Sequence, residues 1–259
     1  MIKAVFFDID GTLISFNTHQ IPSSTEMAIQ ELKAKGIKVF ISTGRSINSI
    51  HHIKYLGFDG FITFNGGYCV TQEGDVIFRK AIDSADIDAL LKYHHEVSPI
   101  GFSFMSEHQI SINQVSPEIQ SMYSQLNLEV PVLIDYDSFD SSSVLQTNLF
   151  IDPVQEVELM PKIMPNSIAT RWSPLFADVN PMGQSKKVGI DIFLNHFGID
   201  ISETMAFGDG GNDITMLQHC QIGVAMGNAN PEVKEIADYT TSTVDEDGIY
   251  LALKHFKVI

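Results

Sequence analysis

Two carboxylates set two residues apart, Asp8 and Asp10, are the first groups in this chain that could do chemistry. They follow Ala4–Phe7, an unbroken apolar run of the kind that forms a strand buried on both faces, and they precede Gly11 and Thr12. In extended chain, residues two apart point to the same side. The carboxylates therefore converge at the carboxyl end of that strand, where Gly11 frees the backbone and Thr12 sets a hydroxyl beside them. Two unit charges about 4 Å apart repel by roughly 1 kcal/mol in water and by roughly 4 kcal/mol at an effective dielectric of about 20. Such a pair calls for a proton or a cation. Alone, D-x-D could be an acidic turn after a core strand; the other strand ends argue against that reading.

Three further apolar runs end in the same way. Ile37–Thr43 ends on the Thr43 hydroxyl and leads to Gly44 and Arg45; Phe61–Phe64 leads to Asn65 and Gly66; Thr204–Phe207 leads to Asp209, Asn212 and Asp213. In open α/β sheets, ligands bind at the carboxyl edge of the strands. Asp8, Asp10, Asp209 and Asp213 bring up to four negative charges to that edge, a set that suits a hard divalent cation with oxygen ligands, Mg²⁺ being the natural candidate. No His/Cys set has zinc spacing: His51-His52 and His94-His95 fall on predicted helices where adjacent side chains diverge, and they read as solvated.

Once a metal screens the acids, one carboxylate can attack phosphorus to form a mixed anhydride while the other protonates the leaving oxygen and later activates water. Asp8, nearest the strand, is the better nucleophile. Thr43 and the Gly44 N–H can receive the phosphoryl group at a helix start, and Lys186 adds a full charge in a first helical turn where structure alone would prefer an acid. Lys187 reads as solvated. Arg45 could pair with phosphate or with the acids.

Other patterns carry less. PMGQSKK lacks the G-x-x-x-x-G-K-[ST] frame of a nucleotide loop, and Asp135, Asp137 and Asp140 lack calcium-loop spacing and its glycine. G-N-A-N after Met226 reads as a turn that could help shape the edge, and Trp172 as a core residue.

Positioning these groups requires a parallel α/β sheet. A β-α-β-α pattern runs from the first strand through a helix ending at Gly36, the second strand, a helix carrying Ile47, Ile50 and Ile53, and the third strand, followed by short strands at Tyr68–Val70 and Val76–Arg79. From about Ile82 the strands alternate, as in GFSFM and QISIN, with helices at Ser84–His95, near Pro117–Leu126 and after Pro153; this predicts an α+β domain. The parallel pattern returns with a helix over Lys186–Phe197. Residues 1–81 and 184–259 thus read as one Rossmann-like core, with 82–183 inserted.

The chain has 259 residues, 44% hydrophobic and 19% charged, and a formal charge of −16 from 32 acidic and 16 basic side chains. With no Lys/Arg run to track a phosphate backbone, nucleic acid is not expected as a partner, and no segment reaches the ~18 apolar residues of a membrane span. An anionic ligand works against the net field, so its site must supply local positive charge. Two isolated cysteines, Cys69 and Cys220, and the absence of a leader suit a reducing, cytoplasmic setting.

D-I-D-G-T, T-G-R after the second strand, Lys186 in Q-S-K-K, and G-D-G-G-N-D together resemble the four motifs of the haloacid dehalogenase superfamily of phosphohydrolases, over nearly the whole chain. Order, spacing and the insert after the third strand are most similar to its Cof-type sugar-phosphatase branch with a C2B α+β cap. The resemblance implies Asp8 as nucleophile and metal ligand, Asp10 as general acid/base within the metal set, and the Ile9 carbonyl as a further metal ligand. Thr12, Thr43, Gly44, Arg45, Asn65 and Gly66 would serve the phosphate and substrate, and Lys186 would bridge phosphate and nucleophile. Asp209 would bind Mg²⁺, with Asn212 and Asp213 completing the shell. Lys187 stands where the branch often has Gly. The implied activity is Mg²⁺-dependent hydrolysis of small phosphorylated metabolites, sugar phosphates foremost. Alternatives are a phosphomutase of related fold and a non-enzymatic phospho-aspartyl switch or metabolite-binding module.

Overall fold

The computed structural model describes residues 1–125, 129–173 and 175–259. The chain begins with β1 (Ala4–Phe7), α1 (Ser23–Ala34), β2 (Lys38–Ser42), a 3-10 helix over Ile47–Leu56, β3 (Gly60–Thr63), β4 (Tyr68–Thr71) and β5 (Val76–Arg79). It continues with α2 (Ser84–Glu96), β6 (Gly101–Met105), β7 (Ile110–Ile112), α3 (Pro117–Gln125), β8 (Val132–Leu133), β9 (Gln146–Phe150), α4 (Pro153–Ile163), β10 (Ser167–Ser173) and β11 (Phe176–Pro181). The last part holds α5 (Lys186–Phe197), β12 (Thr204–Gly208), α6 (Ile214–Leu217), β13 (Ile222–Ala225), α7 (Pro231–Ile236), β14 (Tyr239–Thr240) and α8 (Gly248–His255). Two compact units result, Met1–Phe78 with Ser185–Ile259, and Arg79–Gln184.

The first unit is built on one sheet of order β14-β13-β12-β1-β2-β3-β4-β5. It is parallel from β14 to β3 and turns antiparallel at β4. β1 is buried along its whole length because strands flank it on both sides. Phe6 turns to the cluster of Phe40, Ile62, Ile190 and Phe193 under α5, stacking on Phe40 at 4.9 Å between ring centroids, whereas Phe7 turns to the opposite face and stacks on Phe207 at 5.3 Å. Strand order reverses between β1 and β12, so their carboxyl ends diverge into the crevice where this architecture takes ligands.

Ile47, Ile50 and Ile53 predict a helix, and the segment winds as 3-10 with Ile50, Ile53 and Leu56 buried. Apolar residues three apart fall on one face of a helix with three residues per turn, and that period wins here. The two-residue edge strands β8 and β14 are too short to carry a periodic signal.

The second unit is a sheet of order β10-β11-β9-β6-β7-β8, antiparallel apart from the β7/β8 pair. α2 and α4 bury Ile87, Leu90, Leu159 and Ile163 against Phe102, Leu149 and Val179. α3 places Ile119 and Tyr123 in a smaller cluster with Ile112 and Phe176. Asp86 fastens α2 by accepting the backbone N–H and side-chain amide of Asn166 and the Ser167 hydroxyl. His94 is half-buried rather than solvated, its Nδ1 accepting the Ile100 N–H at 3.1 Å. Leu126, expected to close its helix, and the Trp172 side chain, expected in the core, lie outside the described residues.

Candidate active site

Asp8 leaves the end of β1 nearly buried, with its N–H donated to the Phe207 carbonyl. Opposite it stands Lys186, the first residue of α5 and wholly buried, whose Nζ donates to Asp8 Oδ1 and Asp213 Oδ1 at 2.5 Å each. Asp213 Oδ2 accepts the N–H groups of Asp209 and Gly210, both at 2.9 Å, so this carboxylate is committed to the lysine and to its own loop. A side chain at Gly208 would sit 2.6 Å from the Asp213 carboxyl carbon; only glycine leaves room there. Lys187 is exposed.

Burial opposes the charge on Lys186, but Asp213 and Asp8 outweigh it and hold its pKa above the usual lysine value. The acids are less well served. Burial, then the charges of Asp213 and Asp10, push Asp8 up to about 7 against the pull of Lys186; burial, then Asp8 and Asp213, push Asp209 up to about 8 against Thr12 and Lys186. Oxygens of Asp8, Asp209 and Asp213 lie within 4.8 Å of one another. Three buried or half-buried carboxylates thus face one ammonium, and a divalent cation with oxygen ligands fits the uncompensated charge.

Asp209 is held from both sides. Thr12, also buried, donates its hydroxyl to Asp209 Oδ1 at 2.8 Å; its hydroxyl therefore serves this carboxylate rather than a phosphate. Asn228 Nδ2 donates to the Gly11 carbonyl at 2.7 Å and reaches Asp209 Oδ2 at 3.5 Å, while its Oδ1 accepts the Val244 N–H. The G-N-A-N turn thereby contributes a site residue that the sequence reading left unassigned; its position at the carboxyl end of β13 was the available signal.

Two groups expected in the metal set have other partners in this structure. The Ile9 carbonyl accepts the N–H groups of Leu13 at 2.9 Å and Ile14 at 2.8 Å, so the turn after β1 takes its lone pairs. The Asp10 carboxylate stands outside the Asp8–Asp209–Asp213 group: Arg45 Nε donates to Oδ2 and Nη2 to Oδ1, each at 2.7 Å. Of the two partners open to Arg45, the acid is the one it holds.

The remaining groups form a shelf at the ends of β2 and β3. Thr43 is buried, its Oγ1 accepting the Arg45 N–H and its carbonyl the Asn65 N–H, with half-buried Gly44 between Thr43 and Arg45. Asn65 adopts a left-handed conformation at φ 51° and accepts Asn212 Nδ2 at 3.0 Å, tying the end of β3 to the loop after β12. Gly66 follows at φ 99°, and a side chain there would collide with the Ser185 carbonyl, directly before Lys186. Gly66 therefore lets the turn after β3 close on the residue that precedes α5.

Residues 5–253 match the family model of haloacid dehalogenase-like hydrolases. YkrA of Bacillus subtilis (strain 168), named as a phosphatase, is 37% identical over 260 residues, covering 99% of this chain and 98% of that protein. Among solved structures, BT1666 from Bacteroides thetaiotaomicron, described among phosphatases of the superfamily, superposes with a TM-score of 0.92 at 39% identity over 100% of this chain and 96% of that one. BT4131, described as a subclass IIB sugar phosphatase, gives 0.90 at 44% identity over 99% of this chain and 100% of that one. With the acid cluster, buried lysine and parallel sheet already in place, these matches settle the family: the chain belongs to the haloacid dehalogenase superfamily, as a phosphatase of its Cof-type branch.

Proposed function

We propose that the protein hydrolyses small phosphorylated metabolites, sugar phosphates foremost, by way of a phosphoryl group carried on Asp8. The observation that carries this reading is the placement of the Asp8 carboxylate at the sheet's switch point, with Oδ1 on the buried Lys186 ammonium. Lys186 takes Oδ1, which leaves Oδ2 as the attacking atom. Oδ2 bonds to phosphorus, the bond from phosphorus to the substrate oxygen breaks, and Asp10 delivers a proton to that oxygen. In the second step Asp10 takes a proton from water, the water oxygen bonds to phosphorus, and the bond to Asp8 breaks, returning the carboxylate and releasing orthophosphate. Thr43, Gly44 and Asn212 offer hydroxyl, N–H and amide donors to the phosphoryl oxygens, and Lys186 offers charge.

Asp8 and Asp209 would hold Mg²⁺ directly, with Asp213 acting through Lys186 and the Asp209 N–H. When bound, the ion supplies the positive charge that lets a phosphate dianion approach these carboxylates. The inserted unit fills the part of a C2B cap and supplies substrate choice; the likeness to a protein described as a sugar phosphatase supports the sugar-phosphate class. Among the described residues no helix is long and apolar enough to cross a membrane, and both cysteines are free and buried, which supports a cytoplasmic setting.

The test is release of orthophosphate from a panel of hexose and pentose phosphates, with Mg²⁺ or with chelator, by the native protein and by Asp8→Asn. Release should require Mg²⁺ and fall by at least about a thousandfold in the variant, the scale expected on losing a nucleophile. Full activity in Asp8→Asn would remove the nucleophile, isomer formation without phosphate release would make the protein a mutase, and a stable phospho-protein without turnover would make it a switch.

A further inference from the structure

We infer that Arg45 is the positioning residue of the proton carrier Asp10, and that it acts on the reaction through that carboxylate rather than by binding the phosphoryl group. The inference rests on the acid/base reading of Asp10 given above.

Each of the three guanidinium nitrogens has a partner. Nε and Nη2 form a two-pronged contact with both Asp10 oxygens, and Nη1 lies 3.4 Å from the Ser49 carbonyl. The backbone beneath it is fixed as well: the Arg45 N–H donates to Thr43 Oγ1 at 3.1 Å and its carbonyl accepts the Phe64 N–H at 3.2 Å. Arg45 is thus clamped to the ends of β2 and β3, while Asp10 lies on the loop after β1 and touches that frame through the guanidinium. Both side chains keep about a fifth of their surface exposed, 18% for Arg45 and 22% for Asp10, so the pair is reachable from the site without being loose in solvent.

A planar fork on a carboxylate fixes both the position and the plane of the acid. Asp10 has to deliver a proton to one oxygen and later collect one from water, steps that need the carboxyl within hydrogen-bond reach and aligned. Freed from the fork, its side chain would spread over several rotamers and lose the proximity on which proton transfer depends. A phosphate ligand seated on the same two-pronged face would have to displace Asp10 from both nitrogens.

The two roles separate by leaving group. kcat/KM reports events up to transfer of the phosphoryl group to Asp8, where Asp10 acts only as acid. An aryl leaving group such as p-nitrophenolate departs without a proton; a sugar alkoxide does not. Native protein, Arg45→Ala, Arg45→Lys and Asp10→Asn are to be assayed on p-nitrophenyl phosphate and on a hexose 6-phosphate, with the inhibition constant of inorganic phosphate measured in each. Taking the ratio of the two substrates within one preparation removes any loss of folded protein. The expected result is that Arg45→Ala follows Asp10→Asn, losing about a hundredfold or more on the sugar phosphate and no more than about threefold on the aryl phosphate, with phosphate inhibition unchanged. Arg45→Lys, which keeps the charge and loses the fork, should retain that selectivity defect.

Equal losses on both substrates with weakened phosphate inhibition, rescued by Arg45→Lys, would assign Arg45 to the phosphate and overturn the inference. An Arg45→Ala protein with native ratios would overturn it too. If Asp10→Asn itself shows no leaving-group selectivity, the acid reading fails, and that failure is visible independently of Arg45.

Discussion

Asp8 and Asp209 carry an electrostatic load that a cation would relieve, and this load makes the stability of the metal-free protein depend on pH. With pKa values raised to about 7 and about 8, these groups bind more protons in the folded chain than in the unfolded one across the interval above the usual carboxylate range. Stability follows the difference in bound protons, unfolded minus folded, and that difference is negative here. The cluster therefore costs nothing at low pH, lowers stability as pH rises, and reaches its full cost above about 8. Mg²⁺ displaces those protons, so its binding is expected to strengthen over the same range and to release protons. Thermal unfolding with chelator and with excess Mg²⁺, from about pH 5.5 to about pH 8.5, should give two curves that separate with rising pH. The difference isolates the cluster from titrations elsewhere in the chain; a gap that stays constant would mean that the carboxylates are not the metal's ligands.

α5 carries the lysine to these acids, and what places it is close packing at two glycines. Gly66 brings the turn after β3 against the Ser185 carbonyl, and Gly189, one turn into the helix, lies on Ile62 of β3. A methyl group at Gly189 has to displace Ile62 Cγ2, so Gly189→Ala is expected to cost about 1–3 kcal/mol in urea unfolding and to lower kcat more than KM, because the helix start moves with its lysine. Loss of stability with unchanged kcat would separate the packing from the chemistry. This element shows what a sequence discloses. Lys186 is visible because a cation in a first turn runs against the helix dipole, and the strand ends are visible because apolar runs stop abruptly at polar residues. Local turn bonding is not: the Ile9 carbonyl is spent on Leu13 and Ile14, a matter of backbone path. Nor are contacts between distant segments, such as Arg45 on Asp10 and Asn228 on Gly11 and Asp209, since residue type leaves several partners open and only the fold selects one.

At the scale of the molecule, the chain divides its tasks between a discontinuous unit that holds every residue of the candidate site and a continuous one, Arg79–Gln184, that holds none of them. The discontinuous unit closes through β1, which pairs with β2 on one side and β12 on the other, so its sheet does not depend on the insertion for any strand pairing among the described residues. The ends of the insertion lie within reach of one lysine side chain, Lys80 Nζ donating to the Met182 carbonyl at 2.9 Å, and a short connection is expected to bridge them. The insertion has its own core beneath α2 and α4 and a smaller one under α3 on the opposite sheet face, where the buried Ser103, Asn148 and Asp178, and Gln146 with Asn180, are hydrogen-bonded within the unit. Each unit should therefore fold alone. A protein with a short Gly-Ser connection in place of residues 79–184 is expected to unfold cooperatively, to be stabilised by Mg²⁺, and to keep slow hydrolysis of p-nitrophenyl phosphate. Its kcat/KM values should become nearly equal across a set of hexose and pentose phosphates that the whole chain distinguishes. If the shortened protein folds, binds Mg²⁺ and still ranks those substrates as the whole chain does, substrate choice resides in the sheet edge itself; if the ranking collapses, it resides in the insertion.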